Sequence, residues 1–105
     1  MECDKYQLAT ARTRSDNEDT ELGTLVLALG LMTEAAEAAE MVKKCIEQGR
    51  PLLRTALAKE LGDTFWYLAR LADRYGLSLD DIAQGNLDKL KARYPDGFVK
   101  GGGVR

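Results

Sequence analysis

An all-α fold is predicted for this 105-residue chain, because apolar residues recur at helical spacing, Leu, Ala and charged residues dominate, and Pro51 and Pro95 are the only prolines. The length implies one domain with a modest core, so help from a partner subunit is expected.

The elements follow in order. Residues 4–13 carry Tyr6, Leu8, Ala9 and Ala11 in a short helix that needs something to pack on. Ser15, Asp16, Asn17, Glu18 and Asp19 compete with helical backbone bonding and predict a loop. A long helix is predicted over 20–48, closed by Gly49 as a left-handed cap with Pro51 beyond. In its first half Leu22, Leu25, Val26, Leu27, Leu29, Leu31 and Met32 ring nearly the whole circumference, which points to a subunit interface. A third helix over 52–75 aligns Leu53, Leu57, Leu61, Phe65, Leu68, Leu71 and Ala72 in one stripe and ends at Gly76. A fourth begins with Ser78 as N-cap and Asp81 in a capping box, flanked by a Leu77–Ile82 staple, and stops at about residue 93 before Pro95. These four helices make a bundle with short connections. Residues 1–98 form the domain, and residues 99–105, Gly-rich with nothing to bury, a mobile tail.

Seventeen acids against fifteen bases leave a net charge of −2, too little positive field for a nucleic-acid polymer. No secretory layout opens the chain and no unbroken apolar run approaches the ~20 residues that span a bilayer, so a cytoplasmic location with no membrane partner is expected. Cys3 and Cys45 are read as reduced thiols, and with no His the chain cannot build a thiolate–imidazole pair.

The chemistry resides in carboxylates. Glu34 and Glu37 project three residues apart from one helical face, and Glu60 and Asp63 repeat that spacing on the next helix. If the two helices pack antiparallel, both pairs lie about ten residues, or ~15 Å, from the turn and face one another. Four such acids repel unless a cation sits among them, and an all-oxygen set suits Mg²⁺ or Mn²⁺. Glu34 and Glu37 share their stripe with Gly23, Gly30 and Met41, whereas a solvated face would be polar throughout. Glu40 lies on the neighbouring face, within helical reach of Lys43 or Lys44.

Asn86, Lys89 and Arg93 form a polar, largely basic row on the fourth helix, which suits a polyphosphate; Lys91 is read as a solubilising charge. Tyr67 lies on the acidic stripe as a candidate contact for the substrate. Trp66 is read on a different face, with Gly62 and Asp73, which suits either a subunit contact or a wall beside a base.

The stretches Gly30-Leu31-Met32-Thr33-Glu34-Ala35-Ala36-Glu37, Glu60-Leu61-Gly62-Asp63 and Lys89-Leu90-Lys91-Ala92-Arg93-Tyr94-Pro95-Asp96-Gly97-Phe98 together resemble the MazG-like, all-α nucleoside triphosphate pyrophosphohydrolases over nearly the whole chain. One departure is Ala36, where members of that family often carry Gly. Features associated with the related phosphoribosyl-ATP pyrophosphohydrolases are absent. The resemblance implies a homodimer or homotetramer with partly shared sites, and hydrolysis of a nucleoside triphosphate to monophosphate and pyrophosphate in nucleotide-pool housecleaning. It makes Glu34, Glu37, Glu60 and Asp63 the metal-holding catalytic set, with Lys89, Arg93 and Lys44 toward the phosphates. The rival reading is a non-catalytic helical interaction module with solvated acids, which should bind no Mg²⁺. A di-iron carboxylate bundle is excluded because no His exists for its ligand pairs.

Overall fold

The structure, a computed structural model, describes residues 1–97; Phe98 and the expected tail over 99–105 lie outside the described residues. The helices are α1 (Cys3–Thr10), continued by a 3-10 turn (Ala11–Thr13), α2 (Glu21–Gln48), α3 (Arg54–Arg74) and α4 (Leu79–Arg93). No strand occurs among the described residues.

The boundaries come from local chemistry. Thr20 caps α2, its hydroxyl oxygen accepting the Gly23 N–H at 3.0 Å, and Gly49 ends it at φ 64°, as expected. Leu53 is extended, so α3 starts two residues later than predicted. At its far end the Leu77 N–H bonds Ala72 O at 2.9 Å and the Gly76 N–H bonds Asp73 O at 3.0 Å, a Schellman turn.

Ser78 caps α4 by accepting the Asp81 N–H at 3.2 Å, and α1 completes the cap. The Asp4 carboxylate accepts the Ser78 hydroxyl at 2.8 Å and the Asp80 N–H at 3.0 Å. These bonds, led by the one from Asp80, lower the Asp4 pKa. Buried Gln7 accepts the Leu79 N–H at 3.0 Å and donates to Leu77 O at 2.8 Å. The expected Leu77–Ile82 staple closes little, since both residues remain well exposed.

α2 and α3 pair as a long antiparallel hairpin, α1 crosses the end of α3, and α4 packs chiefly against α1. The small core is Ala69, Ala72 and Leu79 with Cys3, Tyr6 and Leu68 against it. The predicted apolar stripe of α3 is therefore only partly used: Leu57, Leu68 and Leu71 are half-buried, while Leu61 keeps 53% of its surface exposed, and Leu53 and Phe65 are exposed too. The buried residues of α3 are Ala69, Arg70 and Ala72; Phe65 stacks on Tyr6 of α1 with ring centroids 4.6 Å apart, and α4, packed chiefly on α1, covers little of the remaining stripe. The radius of gyration, 16.7 Å, exceeds the roughly 13 Å of a compact chain of this length.

On α2, Leu22 and Met32 are 65% and 63% exposed, in keeping with the ring of apolar residues expected there. By length and composition α2 is also apolar enough to cross a bilayer, with a mean hydropathy of 1.4 in its richest stretch, although Thr24 and Thr33 break its apolar run.

Candidate active site

The α2–α3 hairpin brings the acids to one height. Carboxylate oxygens of Glu34, Glu37 and Glu60 all lie within 4.8 Å of one another. Glu34 Oε2 and Glu60 Oε2 are buried and have no hydrogen-bond partner among the described residues. The Glu34 pKa is pushed up to about 7, first by the Glu60 carboxylate beside it, with which a proton can be shared, then by burial and by the charge of Glu37. Orphaned buried oxygens in an all-carboxylate cluster fit a hard divalent cation, which would neutralise their repulsion and satisfy both lone atoms.

Asp63, one turn beyond Glu60, stands outside that three-acid cluster. It lines a cavity of about 360 Å³ together with Glu34, Thr13, Trp66 and Tyr67. Burial, and then the Asp63 charge, raise the Tyr6 phenol above its ordinary pKa. The Tyr67 ring lies against α2 at Gly30, where an added Cβ would overlap the ring, so the stripe that carries Glu34 needs glycine at this crossing. Trp66 meets Tyr67 edge-on, with centroids 5.0 Å apart, and its indole N–H donates to Thr13 Oγ1 at 2.9 Å.

The cavity thus gathers Glu34, Asp63 and Tyr67 as the sequence predicts, and Trp66 as well. Trp66, read from the sequence as either a subunit contact or a wall beside a base, lines this cavity with Asp63, three residues earlier. Thr13, at the end of the 3-10 turn, gives no comparable signal.

The cationic candidates stand apart. Lys44 bonds Glu40 at 3.6 Å, the pairing expected of Glu40, and faces a smaller cavity of about 180 Å³ at the α2–α3 turn. Asn86, Lys89 and Arg93 lie on α4, which contributes no wall to the acidic cavity of its own chain.

A pair that sequence reasoning passed over lies behind this wall. Arg70, 1% exposed, grips Glu18, 2% exposed, with Nε–Oε2 at 3.1 Å and Nη2–Oε1 at 2.6 Å. It also bonds Thr10 Oγ1 at 3.2 Å and Asp73 at 2.9 Å. An Arg within a helix and a Glu within a polar loop ordinarily read as solvated charges.

Comparison with known proteins places these features. The profile of the MazG nucleotide pyrophosphohydrolase domain matches residues 21–98. The chain is 34% identical to the Gene 37 protein of Mycobacterium phage L5, over 98% of this chain and 97% of that protein. It is 33% identical to the uncharacterized protein YvdC of Bacillus subtilis (strain 168), over 71% of this chain and 79% of that one. No solved structure matches.

Proposed function

The chain belongs to the MazG nucleotide pyrophosphohydrolase family, and on that premise we propose that it hydrolyses nucleoside or deoxynucleoside triphosphates to monophosphate and pyrophosphate with Mg²⁺, for which Mn²⁺ substitutes. The observation that carries this reading is the pair of buried, unpartnered oxygens on Glu34 and Glu60 within a three-carboxylate cluster. A solvated acidic face would turn those atoms to water.

Glu34, Glu37, Glu60 and Asp63 would hold the ion. When bound, it supplies charge neutralisation for the phosphates and acidifies water. In the reaction a water oxygen bonds the α-phosphorus, the bond from that phosphorus to the bridging oxygen breaks, and pyrophosphate leaves. Glu37, the exposed member of the cluster, is placed to accept the water's proton; a chain without His relies on a carboxylate for this. Lys89 and Arg93, with Asn86, would hold the β- and γ-phosphates, and Lys44 is a further candidate. Because α4 packs chiefly on α1, these groups serve the site of a neighbouring copy in a homodimer or homotetramer. The exposed apolar residues of α2 and α3 support such an assembly. A bilayer is a poorer cover, since Glu34 and Glu37 belong to α2 itself and charges are costly in hydrocarbon. A cytoplasmic role in cleansing the nucleotide pool fits this chemistry.

Incubation with a panel of normal and damaged triphosphates and Mg²⁺ tests the proposal, with pyrophosphate expected as the inorganic product. Orthophosphate as the first product would refute it, and a protein that binds neither Mg²⁺ nor Mn²⁺ would be the non-catalytic module instead.

A further inference from the structure

A second cavity, of about 380 Å³, adjoins the acidic one and shares Thr13, Trp66 and Tyr67 with it. Its volume falls within the roughly 300–1,000 Å³ of small-molecule sites. The two differ in character. Beyond the shared wall, the second is lined by Val26 and Leu27 of α2 and by Ser15 and Asn17 of the loop. Glu18 is its one ionised lining residue, and both of its oxygens are taken by Arg70. An occupant here is therefore uncharged, flat enough to lie against aromatic and aliphatic walls, and polar along one edge.

The loop that supplies the polar edge is fixed in place. Glu18 is gripped by Arg70, the Trp66 indole holds Thr13, and Asn17 O lies against Gly23, where no Cβ fits. Arg74 donates to Asp19 O at 3.0 Å and to Thr24 Oγ1 at 2.9 Å. Such anchoring pre-organises a binding group at little further entropic cost. The Thr13 hydroxyl is already engaged, donating to Thr10 O at 3.1 Å while accepting from Trp66. The Ser15 hydroxyl donates to Asn17 Oδ1. Ser15 Oγ also accepts the Asn17 backbone N–H at 3.4 Å, so among the described residues what stays open is the Asn17 side-chain N–H₂ as donor beside the remaining lone pair of Ser15 Oγ as acceptor.

We propose that this cavity seats the base of the nucleotide, and that Asn17 and Ser15 read a lactam edge, the ring C=O beside a ring N–H that uracil, thymine, guanine and hypoxanthine present. This deepens the pyrophosphohydrolase reading and rests on it for the position of the phosphates. Adenine and cytosine present an amino group beside an unprotonated ring nitrogen, which sets donor against donor and acceptor against acceptor. A site that hydrogen-bonds one edge rejects the mismatched one strongly.

Trp66, the single tryptophan, forms the wall and reports directly. Its fluorescence is followed while the monophosphates of uridine, thymidine, guanosine, inosine, adenosine and cytidine are added without divalent cation, with ribose 5-phosphate as the base-less probe. The four lactam bases should bind at least about tenfold more tightly than adenine and cytosine, and ribose 5-phosphate more weakly than any of the four. Asn17→Ala should flatten the ranking and Asn17→Asp should shift it toward adenine and cytosine, with Mn²⁺ binding unchanged and circular dichroism confirming the fold. Equal binding of all bases, no advantage over ribose 5-phosphate, or an Asn17→Ala variant with the wild-type ranking would overturn the assignment. Pyrophosphate release is assayed in parallel. Base-selective binding without hydrolysis would sink the enzymatic reading and leave the base site standing, whereas hydrolysis indifferent to the base would do the reverse.

Discussion

At the scale of single residues the site is governed by where one proton resides. The Glu34 pKa is pushed up to about 7 from an ordinary value of 4.5, because the adjacent Glu60 carboxylate, burial and the nearby Glu37 all favour the neutral form. A folded value above the unfolded one means that the native state holds a proton which the unfolded chain has released. This contribution to stability is complete below about pH 4.5 and is lost as pH rises to about 7. In the absence of divalent cation the melting temperature should therefore fall across that window. Mg²⁺ should restore it near pH 8 by taking the proton's place, and its apparent affinity should weaken as pH drops below about 7. Thermal melts at several pH values with and without Mg²⁺ check both, and a melting temperature that climbs with pH in metal-free buffer would contradict them.

Asp63→Asn removes one charge at nearly constant volume. Because Asp63 is exposed and outside the three-carboxylate cluster, the helical signal should survive while turnover drops by about a hundredfold or more. Steady-state assay with circular dichroism separates the two effects. The convergence of Glu34, Glu37 and Glu60 is legible in the sequence, since carboxylates three apart on two successive antiparallel helices meet at one height, whereas the position of Asp63 outside that cluster is not. Trp66 and the Arg70–Glu18 pair are also less legible. The reach of a large side chain and the burial of an ion pair depend on what lies across the space from them, and local spacing carries no record of that.

At the scale of elements, the ends of the helices follow from residues next to them. Gly49 and Ser78 cap α2 and α4 where the sequence places them, and Thr20, at the predicted start of α2, caps it as well, because each bonds within three or four residues of itself. The remainder of the α4 cap comes from Asp4 and Gln7, more than seventy residues away, and such partners are invisible to local reading. Gln7→Leu keeps a similar size and strands the buried Leu79 N–H. It should cost about 1–3 kcal/mol, seen as a lower urea midpoint with an unchanged slope. Ser78→Ala should cost about 1 kcal/mol by the same measurement. A midpoint unmoved by Gln7→Leu would mean that α4 does not depend on α1 for its docking.

At the scale of the whole molecule, helix faces announce that they are apolar but not which chain covers them. The all-α class and the four helices are legible because the 3.6-residue period is intrinsic to each segment. The outward swing of α4 is not, because a compact bundle and an open one satisfy the same pattern. Leu61 on α3, Leu53 just before it, and Leu22, Leu25 and Met32 on α2 make an exposed apolar surface that a second copy would bury. The same opening separates the basic row of α4 from the acids of its own chain, and on the function proposed above a complete site would combine the two from different copies. Asp63→Asn and Lys89→Ala, each alone, should be defective, the second chiefly through a raised KM. Mixed one to one after subunit exchange, half of the dimers carry one copy of each variant. One of the two sites in such a dimer combines both lesions and the other has none, so about a quarter of wild-type activity should return at low substrate concentration. If instead Lys89 served the acids of its own chain, every site in every mixture would keep one lesion and mixing would restore nothing. Activity of the mixed sample against the mean of the two separate variants therefore decides whether the site is built within one chain or between two.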